Sequence, residues 1–477
     1  MTTDPTAASS RRWLLPAIVL LGLALRGYHY LRCPSVWHDE AALLMNVLER
    51  TYTEQLGPLI WHEAAPPLFL WAERTMYLAF GDHLQVLRLL PFLASCGALL
   101  LLVPVSRRLL PAAAVPWAVL IFACGDKMAW HACEAKPYAV DAFVGACLLY
   151  LVATGDRHSL HRQLLLFTLL APVMIFLSFP AVFLLGGLLV ALLPAVRGER
   201  RRETWLRYGL LAVVVFVSFA VLALGPARAQ RDGEMMSCWT NFFPDWSRPA
   251  WLPFWVAMAT CEVLRYCFSP YGQLFIGFAI VGGVVFWRGG RRSLLAFLVV
   301  PVLLALAASC VRRYPYGGAR VMLYGSAGLA VLVAAGVPAS LAWLRRRHRL
   351  APVLAIVILA LPGLHSLQLL VEPWKRAETG PASAYVLEHR RPDDPVLAND
   401  WAHVYYLRRL RPLFQHFDDP DCSCRGSPRA WIVFTAQVPE PERLREAEAT
   451  MPPGWRVLER AEFQFTTVLL AGDPKVH

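Results

Sequence analysis

Apolar runs recur through most of the first 370 residues, separated by short polar stretches in which arginine dominates. A helix rises about 1.5 Å per residue, so a run of about 17–25 apolar residues crosses the hydrocarbon core of a bilayer. Eleven runs meet or approach that length: 13–31, 84–106, 112–125, 138–154, 164–179, 181–196, 206–225, 271–287, 293–311, 319–343 and 350–370. The third, fifth and sixth are short or closely joined, with Ser178, Phe179 and Pro180 forming the turn between the last two. The pattern predicts an α-helical polytopic membrane protein with about eleven transmembrane helices. From residue 372 onward the pattern changes to that of a soluble chain. Helices are predicted at 382–390, 402–408 and 441–450, and strands at 396–399, 430–435 and 463–470. Their alternation predicts a small α/β domain. The expected division is therefore a membrane domain, 1–371, and a soluble domain, 372–477.

Composition supports this division and excludes other classes. The chain is 57% hydrophobic and 17% charged, against about half and about a quarter for a soluble domain. The net charge of +12 is not that of a nucleic-acid binder, because it sits in short clusters between apolar runs. These clusters are Arg11 and Arg12, Arg107 and Arg108, Arg157 with Arg162, Arg200 to Arg202, Arg291 and Arg292, and Arg345 to Arg347. With eleven spans all six fall on one side, which places the amino terminus in the cytoplasm and the soluble domain outside it. Of eleven cysteines, Cys96, Cys124, Cys147 and Cys310 lie in or near apolar runs, as small packing residues do. Cys33, Cys133, Cys238, Cys261, Cys267, Cys422 and Cys424 would face the oxidising side, where disulfides form. The spacing of Cys422 and Cys424 is not that of a zinc ribbon.

Four segments would then face outward: 32–83, 126–136, 226–270 and 312–320. The first contains two stretches, 41–49 and 67–80, that read as helices lying on the membrane surface. It also carries Asp39 and Glu40, two adjacent acids just beyond the first span. Acids at a lipid boundary are costly unless hydrated, paired or used, so the pair is a functional candidate. It equally suits a helix start, with Asp39 as cap and Glu40 at the positive helix end. His62 and Glu63 follow in the same loop, either as site residues or as wetted loop. Glu134 and Lys136 are two apart, do not face each other on a helix, and can each pair with another loop. Asp141 can serve the site or an arginine within the bundle. Tyr314 and Arg320 can belong to the site, or to a tight turn with a snorkelling arginine. His38, His62, His131 and Glu63 have no metal-ligand spacing.

Taken in order, Trp37-x-Asp39-Glu40-Ala41, Glu63-x-x-Pro66-Pro67-Leu68, Glu134-x-Lys136-x-Tyr138 and Tyr314-Pro315-x-Gly317-x-x-Arg320 resemble motifs of the bacterial membrane glycosyltransferases of family 39. These are relatives of protein O-mannosyltransferases and of the lipid A aminoarabinose transferase. The resemblance covers about residues 13–345. It implies a GT-C fold, a polyprenyl-phosphate sugar donor and inverting transfer to a hydroxyl acceptor at the outer face of a bacterial inner membrane. Asp39 matches the catalytic acid, with Glu40 in support. Glu63 matches a glutamate that helps hold a metal in the aminoarabinose transferase, which makes a divalent metal the one cofactor implied, with His62 and His131 as further ligand candidates. Ala64 stands where that relative has a basic residue. Lys136 stands where many relatives have arginine.

The residue types suit such chemistry. A hydroxyl is a poor nucleophile at neutral pH until a carboxylate takes its proton. The leaving lipid phosphate gains charge that Lys136 and Arg320 can stabilise. Tyr138, Tyr314, Glu63 and Glu134 would line the substrate groove. The partners expected are the lipid-linked donor, membrane lipid and an unidentified hydroxyl acceptor on protein, lipid or glycan. The rival readings are a polyprenyl-lipid transporter or flippase, which should have paired repeats with interrupted helices, and an inactive envelope-binding protein.

Overall fold

A computed structural model describes residues 5–155, 159–410, 414–416 and 427–474. Its internal contacts divide the chain into two units: Met1–Leu31 with Thr51–Glu372, and Arg32–Arg50 with Pro373–His477. The short segment Arg32–Arg50, expected within the membrane domain, thus groups with the carboxyl-terminal unit.

The first unit is a helical bundle. Among the described residues eight helices are long and apolar enough to cross a membrane, including Trp13–Arg32, Leu89–Leu109, Arg292–Cys310 and Ala351–Val371. Pro249–Cys267 and Gly272–Arg288 together form a pair bent by 112° that would make a ninth. The difference from eleven lies in three runs. The run at 112–125 contains only the nine helical residues Val115–Ala123, and that at 138–154 the sixteen of Tyr138–Ala153. At 1.5 Å per residue these reach about 14 and 24 Å, short of a full crossing. The run at 271–287 is one arm of the bent pair. The other arm, Leu252–Cys267, is a helix where the sequence pattern predicts loop, because Trp255, Glu262 and Arg265 break its apolar run.

Large apolar side chains stay exposed on the bundle, including Leu20, Phe216 and Leu354 at 65%, 70% and 63%. Such a surface suits hydrocarbon, where every backbone polar group must be satisfied within the helices. Small residues let helices meet backbone to backbone. A Cβ on Gly282 would lie 1.9 Å from the carbonyl oxygen of Leu332, and one on Gly336 would lie 2.0 Å from that of Phe278. Gly145 meets the Tyr324 carbonyl in the same way.

Arg26 is fully buried within the first helix. Its Nε donates to Ser95 Oγ at 2.8 Å, and its Nη1 to the carbonyls of Gly22 and Ala123 at 2.9 and 2.8 Å. A charge inside a membrane bundle persists only with such partners. Ser95 lies in Leu89–Leu109 and Ala123 ends Val115–Ala123, so one side chain ties three helices together.

The second unit is built on a five-stranded sheet: β1 (Val396–Ala398), β2 (Phe414–His416), β3 (Arg429–Thr435), β4 (Arg456–Phe463) and β5 (Thr466–Gly472), in the order β2-β1-β3-β5-β4. β1 is parallel to β2 and β3, while β5 is antiparallel to β3 and β4. Leu397, Ile432, Ala447 and Leu469 form its core. The predicted helices are present as Thr379–His389, Ala402–Leu407 and Glu440–Ala449. The strand predicted at 463–470 straddles a hairpin turn at which Phe465 adopts φ 57°. β4 was not predicted because Arg456, Glu459, Arg460 and Glu462 give this edge strand a polar sequence, which suits an unpaired edge. Cys96, Cys124, Cys147, Cys238, Cys261, Cys267 and Cys310 form no disulfide among the described residues. Cys422 and Cys424 lie outside the described residues.

Candidate functional site

The polar residues of the first unit gather around one turn. The helix Asp126–Ala132 stops before Pro137, whose ring disfavours helical geometry in the residue preceding it. Pro137 then opens Tyr138–Ala153. Between the two helices the Lys136 N–H donates to the Glu134 carbonyl at 2.8 Å, a tight turn that sends the two side chains to different partners. Glu134, fully buried, takes a hydrogen bond from His131 Nδ1 at 2.7 Å. His131 Nε2 is 2.9 Å from the Tyr266 hydroxyl. With the imidazole neutral, Nδ1–H donates to the carboxylate and Nε2 accepts from tyrosine. Burial lowers the His131 pKa from 6.5 and outweighs the pull of Glu134 in the other direction.

Lys136 is 1% exposed and forms an ion pair with Glu63, whose side chain is 12% exposed. Glu63 also accepts from the Ala64 N–H at 3.0 Å. The pair ties the loop before Pro66 and Pro67 to the turn at 133–136. The His131 ring stands edge-on to Tyr138, with centroids 5.0 Å apart. The Arg320 guanidinium lies 5.4 Å from the ring centroids of both Tyr138 and Trp239, a cation held between aromatic faces. Tyr314 sits six residues earlier. Its hydroxyl donates to the Val321 carbonyl at 2.7 Å, and desolvation raises its pKa well above 10. Asp141 is buried and makes no ion pair among the described residues. Glu63, Glu134, Lys136, Tyr138 and Arg320 are thus linked through a chain of direct contacts, which also includes Tyr266 and Trp239.

An apolar cavity of about 600 Å³ opens in the same unit, lined by residues that include Pro67, Leu68, Trp71, Phe176, Val221 and Leu224. Pro67 is only four residues from Glu63, so an apolar space and a buried charge pair lie on one stretch of chain.

The metal candidates do not assemble. Among the described residues no group of three or more His, Cys, Asp or Glu is arranged to hold an ion. His62 Nδ1 is 2.8 Å from Asp232 and its Nε2 is 2.9 Å from Glu234. His131 is engaged by Glu134 and Tyr266, and Glu63 by Lys136. Glu63, His62 and His131 therefore each face separate partners and do not fit a shared divalent metal.

The acid pair belongs to the second unit. Trp37, extended at φ −109° and ψ 166°, precedes the helix His38–Glu49, whose residues 40–47 are all buried. Asp39 keeps 22% of its side chain exposed and lies 3.6 Å from His38 Nε2. Glu40 is fully buried and faces Arg376 at 3.9 Å.

Sequence reasoning missed Tyr266, Trp239, Asp232, Glu234 and Arg376. Only the Trp-rich character of 226–270 pointed toward one of them. The others are joined to their partners by tertiary contacts that no local pattern announces.

No protein-family model matches the chain, and no curated protein matches it significantly. Solved structures do. ArnT from Cupriavidus metallidurans superposes with a TM-score of 0.52 over 95% of this chain and 97% of that one, at 13% identity, both bound to undecaprenyl phosphate and in the apo state. The Archaeoglobus fulgidus oligosaccharyltransferase, at 12% identity and a TM-score of 0.49, covers 86% of this chain and 64% of its own. At these identities the likeness to ArnT establishes the fold, which is of the GT-C type expected.

Proposed function

We propose that the protein is an inverting glycosyltransferase that moves a sugar from a polyprenyl-phosphate donor to a hydroxyl acceptor at the outer membrane face. The observation that carries this reading is the buried Lys136–Glu63 pair in contact sequence with Arg320, on a fold shared with an enzyme crystallised with undecaprenyl phosphate. Lys136 and Arg320 take the phosphate oxygens. Lys136 has three donors and gives one to Glu63, which fixes the ammonium while two remain. Arg320, braced by Tyr138 and Trp239, offers a planar fork. The apolar cavity beside Pro67 receives part of the lipid tail.

Asp39 acts as general base. The acceptor oxygen attacks the anomeric carbon from the face opposite the phosphate, and its proton passes to the Asp39 carboxylate. The carbon–oxygen bond to phosphate breaks, and polyprenyl phosphate departs with the electron pair. The two cations stabilise that departing charge more than they stabilise the bound donor.

The test is turnover of a labelled polyprenyl-phosphate sugar by purified protein in nanodiscs, with a panel of sugars and hydroxyl acceptors. Release of lipid phosphate with a new glycosidic product is expected. Donor moved across the membrane unchanged would instead establish a transporter, and donor merely retained a binding protein. The same reading places the bundle in a bacterial plasma membrane with its amino terminus cytoplasmic. A reporter fused after His477 should then be active only outside the cytoplasm, and activity of a cytoplasm-only reporter would refute that topology.

A further inference from the structure

The carboxyl-terminal unit is wrapped around the segment that carries the acid pair. The Val36 N–H donates to the Tyr406 hydroxyl at 2.9 Å, and the Val36 carbonyl accepts from Thr379 Oγ1 at 2.8 Å. The Gly380 N–H donates to Ser35 Oγ at 3.3 Å. A Cβ on Gly380 would lie 3.1 Å from the Tyr406 ring and 3.3 Å from Ser35 Oγ, so the approach is close. The helix His38–Glu49 packs on Ala402–Leu407. Arg376, 8% exposed, then faces the fully buried Glu40. Both backbone groups of Val36 are therefore hydrogen-bonded by residues more than 330 positions away in sequence, and the Glu40 carboxylate is faced at 3.9 Å by a guanidinium equally distant along the chain. Asp39 lies between these two fixed points, on the first turn of the helix, and is the more exposed member of the pair.

We propose that the carboxyl-terminal unit is a positioning element for the acid pair, with Arg376 fixing Glu40 and through it the orientation of Asp39. The proposal rests on the reading of Asp39 as base. A buried carboxylate needs a partner, and a cation delivered by a separate part of the chain makes the geometry of this helix turn depend on that part being folded in place. A base displaced by about 1 Å loses on the order of 10²-fold in rate, whereas donor binding, which uses Lys136 and Arg320 in the other unit, is untouched. Arg376 is thus a positioning residue rather than a catalytic one, and the unit that bears it is not an independent envelope-binding module.

The experiment compares Arg376→Gln, Arg376→Lys, Glu40→Gln, the Glu40→Gln/Arg376→Gln pair and Asp39→Asn in the full chain in nanodiscs, by kcat, donor KM and melting temperature. Arg376→Gln is expected to lower kcat by about 10–100-fold with donor KM within about twofold of wild type. Arg376→Lys should recover most of the rate. The double variant should lose no more than the worse single one, because the two residues act through one contact. If Arg376→Gln is too unstable to purify, Glu40→Gln/Arg376→Met removes both buried charges and is read instead, with the same low kcat expected. Wild-type kcat in the variant used, additive losses, or a joint fall of kcat, donor affinity and melting temperature would each overturn the proposal. Full turnover by Asp39→Asn would overturn the reading of Asp39 and the proposal with it. An inactive Asp39→Asn beside a fully active Arg376→Gln would overturn the assignment of Arg376 alone.

Discussion

Replacing Lys136 with methionine should separate two roles that one ammonium now combines. Lys136 is 1% exposed, and its partner Glu63 keeps only 12% of its side chain in contact with solvent. Two unit charges about 4 Å apart attract by about 4 kcal/mol at an effective dielectric of 20. Removing one member of a buried pair costs about 3–5 kcal/mol, because the other charge is stranded. Lys136→Met is therefore expected to lose about 3–4 kcal/mol. Glu63→Gln/Lys136→Met, which removes both charges, should return to within about 1 kcal/mol of wild type. Catalysis should not return with it. On the proposed role of Lys136 the departing phosphate lacks a cation in both variants, so release of lipid phosphate should fall by about 10²–10³-fold in each. Equilibrium unfolding in nanodiscs and initial rates of phosphate release measure the two quantities on one preparation. A double variant that is stable and turns over at the wild-type rate would remove Lys136 from the phosphate site. A Lys136→Met protein as stable as wild type would show instead that the pair is hydrated.

Asp39→Asn preserves size and removes no cap, because Trp37 and not Asp39 holds the N-cap position, so its expected loss of about 10²–10⁴-fold in turnover, with the melting temperature unchanged, isolates the proton transfer; near-normal turnover would end the assignment. His131 titrates below 6.5 in the folded protein, so between that lowered value and 6.5 the unfolded chain binds more protons; stability should rise with pH across this window and be lost as pH falls through it. Melting curves between about pH 5 and 7.5 should show this slope, and His131→Gln should flatten it; a slope unchanged in His131→Gln would assign it elsewhere. Gly282→Val drives a side chain into the Leu332 carbonyl and should cost about 1–3 kcal/mol or more, while Gly283→Ala, whose Cβ would meet Leu295 at 3.8 Å, should be tolerated. Equal stability of the two glycine variants would refute the close crossing.

The bundle was largely legible because lipid imposes a length and a polarity on each crossing, and runs such as 84–106, found as the helix Leu89–Leu109, satisfy both unaided. Legibility failed where a helix is short, as at Val115–Ala123, or where tryptophan and charge interrupt it, as at Leu252–Cys267. In the second unit most of β5, buried along its whole length, was readable, while its polar edge neighbour β4 was not. The site followed the same rule. The contact of His131 with Glu134 joins residues only three apart, across the end of one helix. That of Glu63 with Lys136 spans 73 residues, and that of Glu40 with Arg376 spans 336. Such pairings are products of tertiary packing and leave no periodic mark.

The guanidinium of Arg26 has a consequence for biosynthesis. Its acceptors beyond its own helix include Ser95, 69 residues later, and Ala123, 97 residues later. At about 5–20 residues per second, the ribosome completes the second of these some 5–20 s after Arg26 itself is made. For that interval the first helix carries a charge whose insertion costs up to about 2.5–3.5 kcal/mol, offset by the leucines and alanines around it. The helix can therefore enter the bilayer early, yet reaches its final depth and rotation only once the later helices arrive. One arginine thus ties the final seating of the first crossing to the synthesis of roughly the first quarter of the chain.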